Sequence, residues 1–237
     1  MSTTFSTERD QLKASFSAGA LATFEARRAA LDGIVQLLSV HCDEFIAALT
    51  TDMGRPRAEA DAEVCVAIRE ARDISSNLEA WMRPERKGTH TMMQPAEAAV
   101  RRSPFGAVLI IGPYNYPLVL TIEPLIGALA AGNTVLLKPS ELTPATSSVL
   151  ARCLPKYLSP TVCQIATGGI DVSTALLATK WDFIYFTGSP RVGKIVAKAA
   201  AEHMTPTALE LGGKGVWLRL ERVCHVHAPC LFPPPFC

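Results

Sequence analysis

Several short stretches combine residue types that can do chemistry. Leu209-Glu210-Leu211-Gly212-Gly213-Lys214 places one carboxylate at the end of an apolar run. Desolvation there disfavours the charged form and moves the acid toward the range of a general base; a plain strand terminus reads the same way. Ile111-Gly112-Pro113-Tyr114-Asn115-Tyr116-Pro117 sets Asn115 between two tyrosines in a proline-flanked loop. A side-chain amide held there can donate to a developing oxyanion, or it can simply cap the loop backbone. In Lys138-Pro139-Ser140-Glu141 an ammonium and a carboxylate could bond ribose hydroxyls from two sides, or form a solvated surface pair. Phe186-Thr187-Gly188-Ser189-Pro190-Arg191-Val192-Gly193 falls where an apolar run meets a helix signal. Glycines at such a turn let backbone amides approach a phosphate, and the helix dipole favours its charge; a ligand-free turn needs no more than the same glycines. The stretch nearly matches a P-loop, Gly188-x4-Gly193-Lys194, but Ile195 stands where a hydroxyl must meet magnesium.

These stretches need elements to hold them. Apolar runs at 107–111, 134–137, 162–166, 183–186 and 207–211 predict strands buried on both faces. Helical segments separate them: Thr143 with Pro144 predicts a cap and first turn for a helix to about Leu158, Asp171 a cap for one through Ala178, and Ser189 with Pro190 the start of a third, ended by Pro206. Parallel strands with helical crossovers give an α/β fold, a Rossmann-like doubly wound parallel sheet. An N-terminal helical segment precedes it over 1–83. Leu31, Ile34, Val35 and Leu38, then Phe45, Ile46 and Leu49, recur at helical spacing; Gly54 and Pro56 interrupt, and Val64, Ile68, Ile74 and Leu78 resume. Residues 84–103 are polar and irregular, a linker or edge strand. The sheet domain spans 104–214, and 215–237, rich in cysteine and proline, does not continue it.

The chain has 237 residues, 49% hydrophobic and 19% charged, which excludes a disordered or fibrous class. Lys and Arg number 23 against 22 Asp and Glu, so no global field draws nucleic acid or an anionic membrane. The longest apolar region, 107–132, contains Pro113, Asn115, Pro117, Glu123 and Pro124, which argues against a membrane span. The start lacks the pattern of a secretory signal and the cysteines number seven, so a cytoplasmic location with free thiols is expected.

GPYNYP, GNTVLLKPSE, FTGSPRVGK and LELGGK, in this order and at these separations, resemble the aldehyde dehydrogenase superfamily, and YNYP its class 3 branch. The resemblance covers about Arg28 to Lys214. It implies NAD- or NADP-dependent oxidation of a small-molecule aldehyde to a carboxylic acid, with a Rossmann-like cofactor domain, a separate catalytic domain, and a β-arm for a homodimer. Carried over by position, Lys138 and Glu141 would hold the adenosine ribose. Gly188, Ser189, Val192 and Gly193 would line the pyrophosphate region, and Leu211 and Gly212 would lie beside the nicotinamide. Glu210 would activate the hydrolytic water and Asn115 would supply the side-chain half of the oxyanion hole.

In the family a cysteine thiolate attacks the aldehyde, hydride leaves for the nicotinamide, and water releases the thioester. That cysteine follows the LELGGK glutamate by a few tens of residues, in a Gly-Gln-x-Cys segment absent here. Cys224 and Cys230 lack that context, and Cys224, His225, His227 and Cys230 are too crowded for a zinc site without a second pair of ligands. The expectation is dinucleotide binding without turnover by this chain. A non-catalytic dinucleotide-binding or interaction module, pairing with a full-length relative, is the alternative.

Overall fold

The computed structural model describes residues 5–213; Lys214, Cys224, His225, His227 and Cys230 lie outside the described residues. Four helices come first: α1 (Ser6–Ser17), α2 (Phe24–Val40), α3 (Cys42–Met53) and α4 (Arg57–Met82). The Thr23 hydroxyl accepts from the Ala26 amide at 3.1 Å and starts α2. Leu31, Ile34, Leu37 and Leu38 form its buried stripe. The chain breaks at His41, which the periodicity does not announce. Gly54 ends α3 in the left-handed region, at φ 64°, and Pro56 precedes α4, as the sequence predicts.

Residues 84–103 hold two short strands, β1 (Glu85–Lys87) and β2 (Ala98–Val100). They pair antiparallel, Glu85 opposite Val100. The segment thus supplies a partner for each of its own strands.

The main sheet contains β3 (Ala107–Ile111), β4 (Thr134–Lys138), β5 (Cys163–Ile165), β6 (Phe183–Gly188) and β7 (Thr207–Leu211). All pairings are parallel, in the order β5-β4-β3-β6-β7. Helices α5 (Val119–Ala131), α6 (Pro144–Cys153), α7 (Ile170–Ala178) and α8 (Pro190–Glu202) make the crossovers. Successive strands run outward from β3 in one direction and then, from β6, in the other, so the order reverses between β3 and β6. This is the Rossmann-like arrangement, and in such sheets ligands bind outside the carboxyl ends of the strands at the reversal.

Alternation along each strand divides the core in two. Val108, Ile110, Val135 and Leu137 pack with α2, α4 and α5 on one face. Leu109, Ile111, Leu136, Ile184 and Phe186 pack with α1, α7 and α8 on the other. Among the described residues no single helix is long and apolar enough to cross a membrane.

Two helix boundaries and one cap differ from the sequence expectation. Helix α6 stops at Cys153 and passes into a 3-10 turn at Leu154–Lys156, where Pro155 removes a backbone donor. Gly169, not Asp171, sits at the head of α7, and Asp171 lies in its first turn. Thr143 heads α6 without capping it: its hydroxyl donates to the Ser140 carbonyl, and the Ala145 and Thr146 amides bond Asp52 of α3 instead, at 3.0 and 2.7 Å.

Asn133 ties the end of α5 to the segment that enters β3. Its side-chain oxygen accepts from the amides of Phe105 and Gly106 at 2.7 and 3.0 Å, and its nitrogen donates to the Ala128 carbonyl at 3.1 Å. Asn133→Ala leaves buried donors unpaired and should lower the unfolding free energy by about 1–3 kcal/mol, read as a lower urea midpoint at unchanged slope. An unchanged midpoint would contradict this role.

Candidate active site

The strands deliver the sequence-predicted residues to one edge. Asn115 follows β3, Lys138 ends β4, Gly188 ends β6 with Ser189 beyond it, and Glu210 and Leu211 end β7 with Gly212 beyond. The edge is stitched: the Gly112 amide donates to the Lys138 carbonyl at 3.0 Å, and the Gly212 amide to the Gly188 carbonyl at 3.4 Å.

Lys138 is 2% exposed, which excludes the solvated surface pair. Its ammonium donates to Glu141 Oε2 at 2.6 Å, and Glu141 itself is exposed. A buried ammonium needs a hydrogen-bonded counter-charge, and Glu141 supplies it while facing solvent. The Ser140 carbonyl accepts from Ser147 Oγ at 2.8 Å, which fixes the turn.

Helix α8 begins at this edge. Ser189 is its cap: the hydroxyl accepts from the Val192 amide at 3.3 Å, and Pro190 takes the first helical position. The first turn contains no acid. The other helices that start here differ. Asp52 occupies the start of α6, Glu63 Oε1 accepts from the Leu118 and Val119 amides at the start of α5 at 2.9 and 3.0 Å, and Asp171 lies in the first turn of α7. An anion meets the least opposing charge at α8. Gly193 is buried inside α8, where a Cβ would come within 2.6 Å of the Leu211 side chain. The absence of a Cβ at this position leaves room for the Leu211 side chain against α8. With Gly193 in a helix, the P-loop reading fails, because no loop remains to wrap a phosphate.

Alternation also separates two groups of candidates. Lys138 shares the face of Leu136, and Gly188 and Leu211 share that of Phe186 and Leu209, the side of α8. Glu210 stands opposite Thr187, on the face of Tyr185 and α5. Burial first and the Glu210 charge second push the Tyr185 phenol up. The carboxylate thus lies on the side of α5, which the Asn115 loop precedes, and the cofactor candidates on the other.

One expectation changes. Glu210 is exposed, so the apolar enclosure expected around it is not found among the described residues, where β7 is an edge strand paired with β6. The Asn115 loop is held through its backbone: the Asn115 carbonyl receives Arg55 Nη2, and its neighbours Tyr114 and Tyr116 are 54% and 49% exposed.

The residues that hold this loop were missed from sequence. Glu63 is 4% exposed and meets Arg55 Nη1 at 2.7 Å. Its one signal is position: it falls among Ala60, Val64 and Ala67 on the buried stripe of α4, where a charge needs a partner. The described free thiols are Cys42, Cys65, Cys153 and Cys163, and none lies on the carboxyl-edge loops. Burial pushes the Cys163 thiol up to about 12. His41, Glu44 and Cys153 bring ligand atoms within 4.8 Å of one another, but Glu44 already pairs with Arg152 and His41, at the far end of α6.

Burial raises the Glu141 carboxyl, but the hydrogen bond from Lys138, one from its own amide and the ammonium charge outweigh this and hold it below the ordinary range. A depressed acid stabilises the fold above its unfolded value, about 4.3, and the contribution is lost as pH falls through the lower folded value. The melting difference between the native chain and Glu141→Gln should therefore be constant from neutral pH down to about 5 and vanish in stronger acid. A difference that persists undiminished in acid would contradict the contact.

The aldehyde dehydrogenase family model matches residues 9–223. Over 205 residues the chain is 40% identical to aldehyde dehydrogenase family 3 member H1 of Arabidopsis thaliana, covering 86% of this chain and 42% of that protein. It is 44% identical over 205 residues to family 3 member B1 of Homo sapiens, covering 86% and 44%. The chain thus spans less than half the length of these relatives. The substrate-bound AldH of Staphylococcus aureus superposes with a TM-score of 0.87 at 33% identity, covering 90% of this chain and 46% of that one. Glyceraldehyde-3-phosphate dehydrogenase GapN of Methanocaldococcus jannaschii, complexed with NADP, superposes at 0.75 and 26% identity, covering 87% and 45%. Sequence motifs, sheet order and these likenesses agree: the chain belongs to the aldehyde dehydrogenase family.

Proposed function

We propose that this chain binds NAD or NADP across the carboxyl edge of its sheet and serves the oxidation of a small-molecule aldehyde to a carboxylic acid. The observation that carries the reading is that the buried Lys138 ammonium with Glu141, the acid-free start of α8 at Ser189, and the Leu211–Gly212 end of β7 all stand along the carboxyl edge, on either side of the reversal between β3 and β6. Lys138 and Glu141 present a donor and an acceptor suited to the two hydroxyls of a ribose. Gly188, Ser189 and Val192 offer backbone and hydroxyl groups to a pyrophosphate, and Gly193 lets α8 approach closely enough to do so. Leu211 and Gly212 form an apolar, side-chain-poor border for a nicotinamide, whose chemistry when bound is to accept hydride. Glu210, on the opposite face, takes the proton of the attacking water, and Asn115 donates to the oxygen of the reacting carbonyl.

Known relatives use either cofactor: GapN is complexed with NADP, and a benzaldehyde dehydrogenase of Corynebacterium glutamicum, 27% identical over 86% of this chain, is NAD-dependent. We place the chain in the cytoplasm and read a homodimer from the family. One observation favours a second reading, a dinucleotide-binding module without turnover: none of the described thiols reaches the edge where a nucleophile must stand.

Titrating NAD and NADP against tryptophan fluorescence should give a saturable change, and Lys138→Ala should weaken it about ten- to a hundredfold, the worth of one charged hydrogen bond. Absence of saturable binding to either cofactor would contradict both readings. Aldehyde-dependent NADH formation by the 237-residue chain, abolished by Cys230→Ala, would overturn the second.

A further inference from the structure

The Asn115 loop is gripped by two residues outside the candidate site. Arg55 comes from the turn between α3 and α4, and Glu63 from the second turn of α4. Glu63 divides its carboxylate: Oε1 takes the Leu118 and Val119 amides, and Oε2 takes Arg55 Nη1. Arg55 also divides its guanidinium. Nη2 donates to the Asn115 carbonyl, and Cζ lies over the Tyr116 ring, 4.2 Å from its centre.

Neither residue needs this arrangement for stability alone. Any short acceptor would cap α5, and a lysine would neutralise a buried carboxylate. A planar fork that bonds a carboxylate and a carbonyl while stacking on a ring is available only to arginine. Buried ion pairs return little net stability after desolvation, and their best-supported use is to select one conformation. The conformation selected here is that of two successive loop residues, Asn115 by its backbone and Tyr116 by its ring. The contacts run from the α5 amides through Glu63 and Arg55 to the loop, so one continuous chain of bonds ties the start of α5 to the loop before it.

We infer that Arg55 and Glu63 are positioning residues for Asn115, holding its side-chain amide at the carboxyl edge on the side of Glu210. Their relevance to chemistry rests on the proposed role of Asn115, whereas the clasp itself can be tested without substrate.

The test is nuclear magnetic resonance on the full chain, following the Asn115 side-chain amide and the Tyr116 ring in Arg55→Lys, Arg55→Ala and Glu63→Gln, each with a thermal melt and a dinucleotide titration. Arg55→Lys keeps a charge against Glu63 and should melt close to the native chain, yet its Asn115 and Tyr116 resonances should shift toward those of a free loop. Glu63→Gln should shift them in the same direction. Native-like Asn115 and Tyr116 resonances in Arg55→Lys would overturn the inference, because charge neutralisation alone would then suffice. Should Arg55→Ala fail to fold, Arg55→Lys decides by the same resonances. Dinucleotide affinity should be unchanged in Arg55→Lys, since the cofactor candidates lie on the other face of the sheet; a loss of affinity together with the shifts would overturn local positioning. A native chain with no dinucleotide affinity would count against the proposed function while the resonances still decide the clasp.

Discussion

A carboxylate on the amide end of a helix is the contact on which this site depends. The first amides of an α-helix have no partner within it, and their aligned dipoles attract negative charge. The N-terminal helices meet that demand twice: Glu63 seats on the start of α5 and Asp52 on the start of α6. These helices leave the sheet just after β3 and β4, so capping them fixes the loops that carry Asn115 and the Lys138–Glu141 pair. Helices α3 and α4 therefore do more than cover one face of the sheet. They also occupy the starts of α5 and α6 with carboxylates, whereas α8 has the neutral Ser189 cap.

The two-residue period of the strands adds a division of labour. Leu211 and Glu210 are consecutive and must point to opposite faces. One joins the side of α8, Gly188 and Lys138; the other joins the side of Tyr185 and α5. The two sides meet over the carboxyl edge of the sheet. Family membership and this geometry are the grounds on which aldehyde oxidation is proposed.

Most of the sheet was legible because its signal is local. The buried strands are continuous apolar runs bounded by turn residues, and Ser189-Pro190 marks the start of α8 by residue type alone. Helix α5 was harder: it is apolar nearly all round and contains Pro124, so it shows little helical period. The cap of α6 was illegible for another reason. Thr143 satisfies a local rule, yet Asp52, distant in sequence, takes the position because the packing of α3 on α6 brings a stronger acceptor there. Arg55 and Glu63 are likewise defined by contacts between distant segments. The expected surroundings of Glu210 depended on what packs over β7, an edge strand, which a run of apolar residues cannot reveal.

The most direct measurement is chemical-shift mapping of the isotopically labelled chain titrated with NADP and NAD. The account predicts perturbations concentrated at Lys138–Glu141, Gly188–Gly193 and Leu211–Gly212, with the capped starts of α5 and α6 little affected. Perturbations centred on the starts of α5 and α6, or none at the carboxyl edge, would contradict it.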